Sequence, residues 1–206
     1  MIIFLNGGSS VGKSSIAREI MRQSEIPFLY FSIDHLVNYW IDEKFVSVNT
    51  ENPPELKKAW FFHIEEKDKK GNPVIKIKDG AKAKKLHKDI IKCWSNLAQK
   101  GYSLIIDEVI WKKEIFTFYQ QEFSHVNSPF IMIKVKCDLE AALLREKVRG
   151  DRFIGLVRGT KEVEKNIPNY DLEIDTTSIL PSENAKIILN FIKKTNFSKL
   201  KIELWK

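Results

Sequence analysis

Residues 2–18, Ile-Ile-Phe-Leu-Asn-Gly-Gly-Ser-Ser-Val-Gly-Lys-Ser-Ser-Ile-Ala-Arg, constrain the fold of this chain more than any other stretch. Gly7, Gly12, Lys13 and Ser14 satisfy the spacing G-x-x-x-x-G-K-[S/T] of a phosphate-binding loop. The flanks agree: the apolar run Ile2–Leu5 reads as a buried strand, and Ile16, Ala17, Ile20 and Met21 recur with helical spacing. Glycines let the backbone curl so that amides converge on phosphate oxygens, and the helix N-terminus adds positive potential. The candidate nucleotide-binding residues are therefore Gly7, Gly8, Ser9, Ser10, Val11, Gly12, Lys13, Ser14 and Ser15. Within them Lys13 is placed to reach β- and γ-phosphates and Ser14 to ligate Mg²⁺. The competing reading is a glycine-serine turn with a chance lysine.

The rest of the chain repeats this alternation. Apolar runs at Ile2–Leu5, Phe28–Ile33, Ser103–Ile106, Phe130–Lys136 and Leu172–Ile174 read as parallel strands. Helical spacing is expected over Lys13–Ser24, His35–Ile41, Ala81–Gln99, Lys112–Phe123, Leu139–Val148 and Ser182–Lys193. Strands alternating with helices give an α/β fold with a doubly wound parallel sheet and helices on both faces. At 206 residues this is expected as one domain, 1–206, with no internal repeat. The charged stretch His63–Asp79, broken at Lys70-Gly71-Asn72-Pro73, reads as an inserted β-hairpin, either folded over a substrate or decorating the surface.

Composition narrows the setting. Hydrophobic residues make up 43% of the chain, and no apolar run reaches the roughly 18 residues of a membrane span. No basic segment precedes the first strand, and the two cysteines, Cys93 and Cys137, lack metal spacing and read as core-facing thiols. A cytoplasmic protein without membrane partners is expected. The net charge of +7 admits a nucleic-acid partner, but no nucleic-acid motif accompanies it, so a lysine-rich surface and an anionic nucleotide substrate account for it better.

Further acids and bases complete a candidate site. Leu104–Glu108 is an apolar strand ending in Asp107 and Glu108. Asp107 is the second expected Mg²⁺ ligand, opposite Ser14, while Glu108 either orients water or substrate or faces solvent. Arg145, Arg149, Arg152 and Arg158, interspersed with Gly150, Gly155 and Gly159, read as an arginine-rich lid over about 145–160, with Arg149 and Arg152 as its catalytic clamps; the alternative is an ordinary basic helix end. Asp34, after the second strand, is placed either to accept an acceptor's proton or to cap a helix. Val135-Lys136-Cys137-Asp138 superficially resembles a guanine-reading element, but Val135 stands in its key position, and Asp138 reads as a helix cap. Of the histidines, His35 adjoins Asp34 and has a place at the acceptor site; His63, His87 and His125 read as packing. Trp40, Trp60, Trp94 and Trp111 read as core or pocket walls.

Taken in order, Leu5–Ser14, Phe31–Asp34, Ile105–Val109, Val148–Gly155 and Tyr170–Thr177 resemble the chloramphenicol phosphotransferase family of P-loop kinases. The R-G-D-R-x-x-G and Y-D-x-E-x-D-T-T stretches carry more of that resemblance than the phosphate loop. It implies a three-layer P-loop kinase fold that transfers the γ-phosphate of ATP, with Mg²⁺, to a hydroxyl of a small molecule. It also implies that Asp34 is the catalytic base, that Arg149 and Arg152 serve the nucleotide site, and that Tyr170–Thr177 form the last strand on the adenine side. Where the family carries a histidine before this last motif, Glu164, Lys165 and Asn166 stand instead, and Leu36–Trp60 has little in common with the type member. The acceptor is therefore open between chloramphenicol and other hydroxyl compounds. Two rivals remain: a kinase for a nucleotide sugar or a nucleic-acid end, and a non-catalytic ATP-binding regulator.

Overall fold

The computed structural model describes residues 1–42, 46–47, 60–150 and 153–195. Five parallel strands form the central sheet: β1 (Ile2–Asn6), β2 (Phe28–Ser32), β6 (Ser103–Glu108), β7 (Phe130–Lys136) and β8 (Leu172–Asp175). Their order is β2-β6-β1-β7-β8, so the first strand lies at the centre, flanked by β6 and β7. Crossovers run through α1 (Lys13–Gln23), α2 (Ala81–Gln99), α3 (Lys113–Phe123) and α4 (Leu139–Arg149); α5 (Leu156–Thr160) and α6 (Pro181–Lys194) follow.

Alternation along each strand divides the core in two. Ile2, Phe4, Leu104, Ile106, Phe130 and Met132 face one layer, where Ile90 and Trp94 of α2 and Phe116, Tyr119 and Phe123 of α3 cover them. Ile3, Leu5, Ile105, Ile131 and Ile133 face the other, under Ile16 and Ile20 of α1 and Ile188 and Ile192 of α6. Helices on both faces explain why these strands are apolar at every position rather than at alternate ones.

Strand ends differ from the sequence reading by small amounts with clear causes. β6 extends two residues past Ile106 because Asp107 and Glu108 pair with Leu5 and Asn6 of β1. β2 stops at Ser32, whose hydroxyl accepts the Asp34 amide at 3.2 Å and opens a helical turn, Ile33–His35, that continues as a π-helical stretch, Leu36–Trp40. The cysteines are corrected: Cys93 is exposed, since Ile90, Ile91 and Trp94 hold the inner face of α2, and Cys137 is half-buried.

The expected hairpin is present as β4 (Phe61–Lys67) and β5 (Pro73–Asp79), with β3 (Val46–Ser47) added beside β4. Its turn is fixed by Asp68, whose carboxylate accepts the amides of Lys70 and Asn72 at 2.8 and 2.9 Å. The hairpin is fastened to the body. Lys112 pairs with Asp79 at 2.5 Å, and β5 lies against α5, where the Ile75 amide donates to the Gly155 carbonyl at 3.0 Å. A Cβ on Gly159 would sit 1.8 Å from the Ile75 carbonyl oxygen, so only glycine permits this approach. Gly159→Ala is expected to destabilise the protein by roughly 1–3 kcal/mol in urea titration, the usual cost of overpacking, and to make the hairpin a preferred cleavage site in limited proteolysis.

Candidate functional site

At the carboxyl end of β1 the chain turns into the phosphate loop. The loop folds tightly against its neighbours: a Cβ on Gly7 would meet the Val135 carbonyl oxygen at 2.2 Å. Ser10 takes a left-handed backbone, φ 60°, uncommon for a residue with a side chain and typical of sites where local strain serves a purpose. The hydroxyls of Ser9 and Ser10 are buried without a protein partner, which leaves polar valences for a ligand. The Ser9 amide, by contrast, donates to the Thr160 hydroxyl at 2.8 Å, and that hydroxyl donates onward to the Leu156 carbonyl at 2.7 Å. This member of the expected amide cradle is therefore engaged by α5.

Lys13 is buried at the start of α1, its ammonium donating to the Gly7 and Gly8 carbonyls at 3.0 and 2.9 Å and standing 3.7 Å from Asp107 Oδ1. Ser14 donates to Asp107 Oδ2 at 2.7 Å, and the Tyr30 hydroxyl donates to the same oxygen at 2.8 Å. Burial pushes the Asp107 carboxyl above its usual range, Lys13 opposes that shift, and the charge of Asp34 adds to it. Asp34 is half-buried, and the cap role open to it falls to Ser32. Lys13, Ser14, Asp107 and Asp34 thus gather at the ends of adjacent strands β1, β6 and β2. Beside them the His35 ring stands edge-on to Tyr30 and Tyr39, at 5.2 and 5.8 Å between centroids.

Among the described residues no group of three or more His, Cys, Asp or Glu side chains gathers as a metal site. Ser14 Oγ and Asp107, two hard oxygen ligands side by side, one half-buried and one buried, do suit Mg²⁺, which takes one or two protein oxygens and completes its shell with phosphate and water.

The arginines divide. Arg145 turns toward β8, donating to the Thr176 hydroxyl and carbonyl at 3.0 and 2.5 Å, while Thr176 donates to the Val11 carbonyl at 2.7 Å and so braces the phosphate loop from the side. Arg158 lies 3.7 Å from Asp68 of the hairpin turn. Arg149 is exposed at the end of α4, and Arg152 lies outside the described residues.

Three residues had functions the sequence did not announce. Glu146, expected within the lid, is buried in α4 and accepts the amides of Gly155 and Val157 at 3.0 and 2.7 Å, fixing the start of α5. Thr160 carries the contact to Ser9. Glu108 does not face solvent: it is fully buried, 2.7 Å from the Tyr119 hydroxyl and 3.2 Å from His87 Nε2, and it accepts the Val109 amide at 3.0 Å. Asp138 caps α4 as expected, accepting the Glu140 and Ala141 amides. In the last motif, Asp171 accepts the Met132 amide at 2.7 Å and Tyr170 accepts from Asn6 at 2.7 Å, tying β8 to β7 and β1.

A phosphate loop on the central strand of a β2-β6-β1-β7-β8 sheet, with a buried lysine and aspartate and a half-buried serine between them, defines a P-loop phosphotransferase. Residues 1–193 match the family described as chloramphenicol phosphotransferase-like protein, and the chain belongs to that family. A Mycobacterium tuberculosis protein provisionally named an O-phosphotransferase is 25% identical over 191 residues, covering 90% of this chain and 79% of its own. Among solved structures, the Mycobacterium tuberculosis APS kinase in complex with AMPPNP and APS aligns over 94% of this chain and 97% of its own with a TM-score of 0.60 and 13% identity. Shikimate kinase from Acinetobacter baumannii in complex with shikimate covers 95% of both chains, with a TM-score of 0.55 and 11% identity. These likenesses are of fold.

The hairpin supplies a pH response. His63 is held neutral by burial, its imidazole pushed down to about 4 from 6.5, with Nδ1 unpartnered and the ring 5.3 Å from Phe153. The unfolded chain takes up this proton near 6.5 and the folded one only near 4, so the stability His63 contributes is full above pH 6.5 and is lost as pH falls toward 4. The urea midpoint is expected to fall between pH 7 and pH 4.5, and by less in His63→Phe.

Proposed function

We propose that the protein is an ATP- and Mg²⁺-dependent O-phosphotransferase that moves the γ-phosphate to a hydroxyl of a small molecule. The observation that carries this reading is the convergence of buried Lys13 and Asp107 with half-buried Ser14, with the Asp34 charge close enough to perturb Asp107. Fold and family support a phosphotransferase; the residues supply the roles. Loop amides and the N-terminus of α1 bind the phosphates. Lys13 follows the negative charge on the β- and γ-oxygens. Ser14 and Asp107 would hold Mg²⁺, which would supply charge neutralisation to the phosphates. Asp34 accepts the acceptor's proton as the acceptor oxygen attacks the γ-phosphorus, the bond from that phosphorus to the β,γ-bridging oxygen breaks, and ADP leaves. Arg149 and Arg152 steady the transferring group in a lid over about 145–160.

The whole chain acts as one kinase domain in the cytoplasm, a setting that two free cysteines fit; no helix among the described residues is long and apolar enough to cross a membrane. Phosphoryl transfer of this kind needs no nucleic-acid or membrane partner.

The test is transfer of labelled γ-phosphate from ATP, first to chloramphenicol and then to a panel of hydroxyl metabolites and RNA ends. Lys13→Ala is expected to abolish transfer. Asp34→Asn is expected to bind ATP normally and to turn over roughly 10²- to 10⁴-fold more slowly, the usual worth of a general base. Near-full turnover by Asp34→Asn would overturn its assignment, and bound ATP with no labelled product anywhere would favour the regulator.

A further inference from the structure

We infer that Tyr30 is a positioning residue for Asp107, the carboxylate proposed to hold Mg²⁺, a role that rests on the phosphotransferase reading above. Tyr30 pairs with Ile105 of β6 across the β2–β6 ladder. Ile105 and Asp107 are two residues apart and so share a face of the sheet. The phenol runs forward along that face to Asp107 Oδ2 and donates to it at 2.8 Å. Ser14 donates to the same oxygen at 2.7 Å, and Lys13 lies 3.7 Å from the other. Two donors from separate elements, β2 and α1, therefore fix the rotation of one buried carboxylate.

Mg²⁺ demands near-ideal octahedral geometry, and a ligand free to rotate meets that demand poorly. Hydrogen bonds that orient a metal-binding carboxylate are worth about 10- to 100-fold in metal affinity. Packing alone would not need the hydroxyl: the contact of the ring with His35, at 5.2 Å, survives in phenylalanine.

The experiment titrates Mn²⁺, observed by electron paramagnetic resonance, into full-length protein loaded with AMPPNP, for the wild type and Tyr30→Phe. The variant is expected to bind Mn²⁺ about 10-fold more weakly. Its AMPPNP affinity in EDTA and its thermal midpoint are expected to match the wild type, which a general packing defect would not allow. In the transfer assay the Mg²⁺ concentration for half-maximal rate is expected to rise by the same factor. Should Tyr30→Phe not fold, 3-fluorotyrosine placed at position 30 changes the donor within an unchanged shape, and the Mn²⁺ affinity must move with it. Equal Mn²⁺ affinity in the wild type and the altered protein would overturn the role of Tyr30 alone. A wild type that binds neither Mn²⁺ nor AMPPNP would instead overturn the phosphotransferase reading, and this role with it.

Discussion

A carboxylate buried as completely as Asp107 is unfavourable unless its charge is answered, and the answers come from three separate places. Lys13 and Ser14 arrive from the loop and α1, Tyr30 from β2, while the acid itself ends β6. Removing one partner of a buried pair typically costs about 3–5 kcal/mol, so the register of β1, β2 and β6 and the curl of the loop must be right together. Even then burial outweighs the compensation, and Asp34 adds repulsion. The charged form of this carboxylate is therefore costly, and its neighbours must stay in place together to hold it.

The central sheet was legible because both of its faces are covered. Strands such as Ile2–Leu5 are apolar throughout, and that pattern survives in the sequence without knowledge of partners. The hairpin was legible through Lys70-Gly71-Asn72-Pro73, a local signal for a local structure. α5 was not: it spans five residues, and the group that starts it, Glu146, comes from the preceding helix. Asp107 and Glu108 are adjacent on one strand and so point to opposite faces of the sheet, Glu108 meeting His87 and Tyr119 on its side, a parting that a pair of neighbouring acids does not reveal by itself. The density of arginines reads alike for all four, yet Arg145 and Arg158 are paired with Thr176 and Asp68, partners distant in sequence. A threonine such as Thr160 gives no signal in isolation, since its importance lies in meeting Ser9 across 151 residues.

The phosphate loop is held from two sides by hydroxyls. Thr176 of the last motif grips Val11, and Thr160 of α5 grips Ser9. Each belongs to a segment carrying its own anchor, Arg145 for the first and Glu146 for the second, neighbours on α4 that face different ways. One helix thus steadies the loop through two unrelated routes, and the loop can keep the strained backbone of Ser10 without a covalent brace.

The contact between Gly159 and Ile75 leaves no room for a side chain, and α5 in turn touches the phosphate loop. Hairpin and short helix are therefore a matched pair, although nearly the whole of α2, β6, α3, β7 and α4 separates them in the chain. Anyone recombining relatives to alter what this protein recognises would find that crossover points between residues 79 and 155 split that pair. The natural module for exchange is discontinuous: the hairpin, the short helix and the loop that the helix touches travel together or not at all.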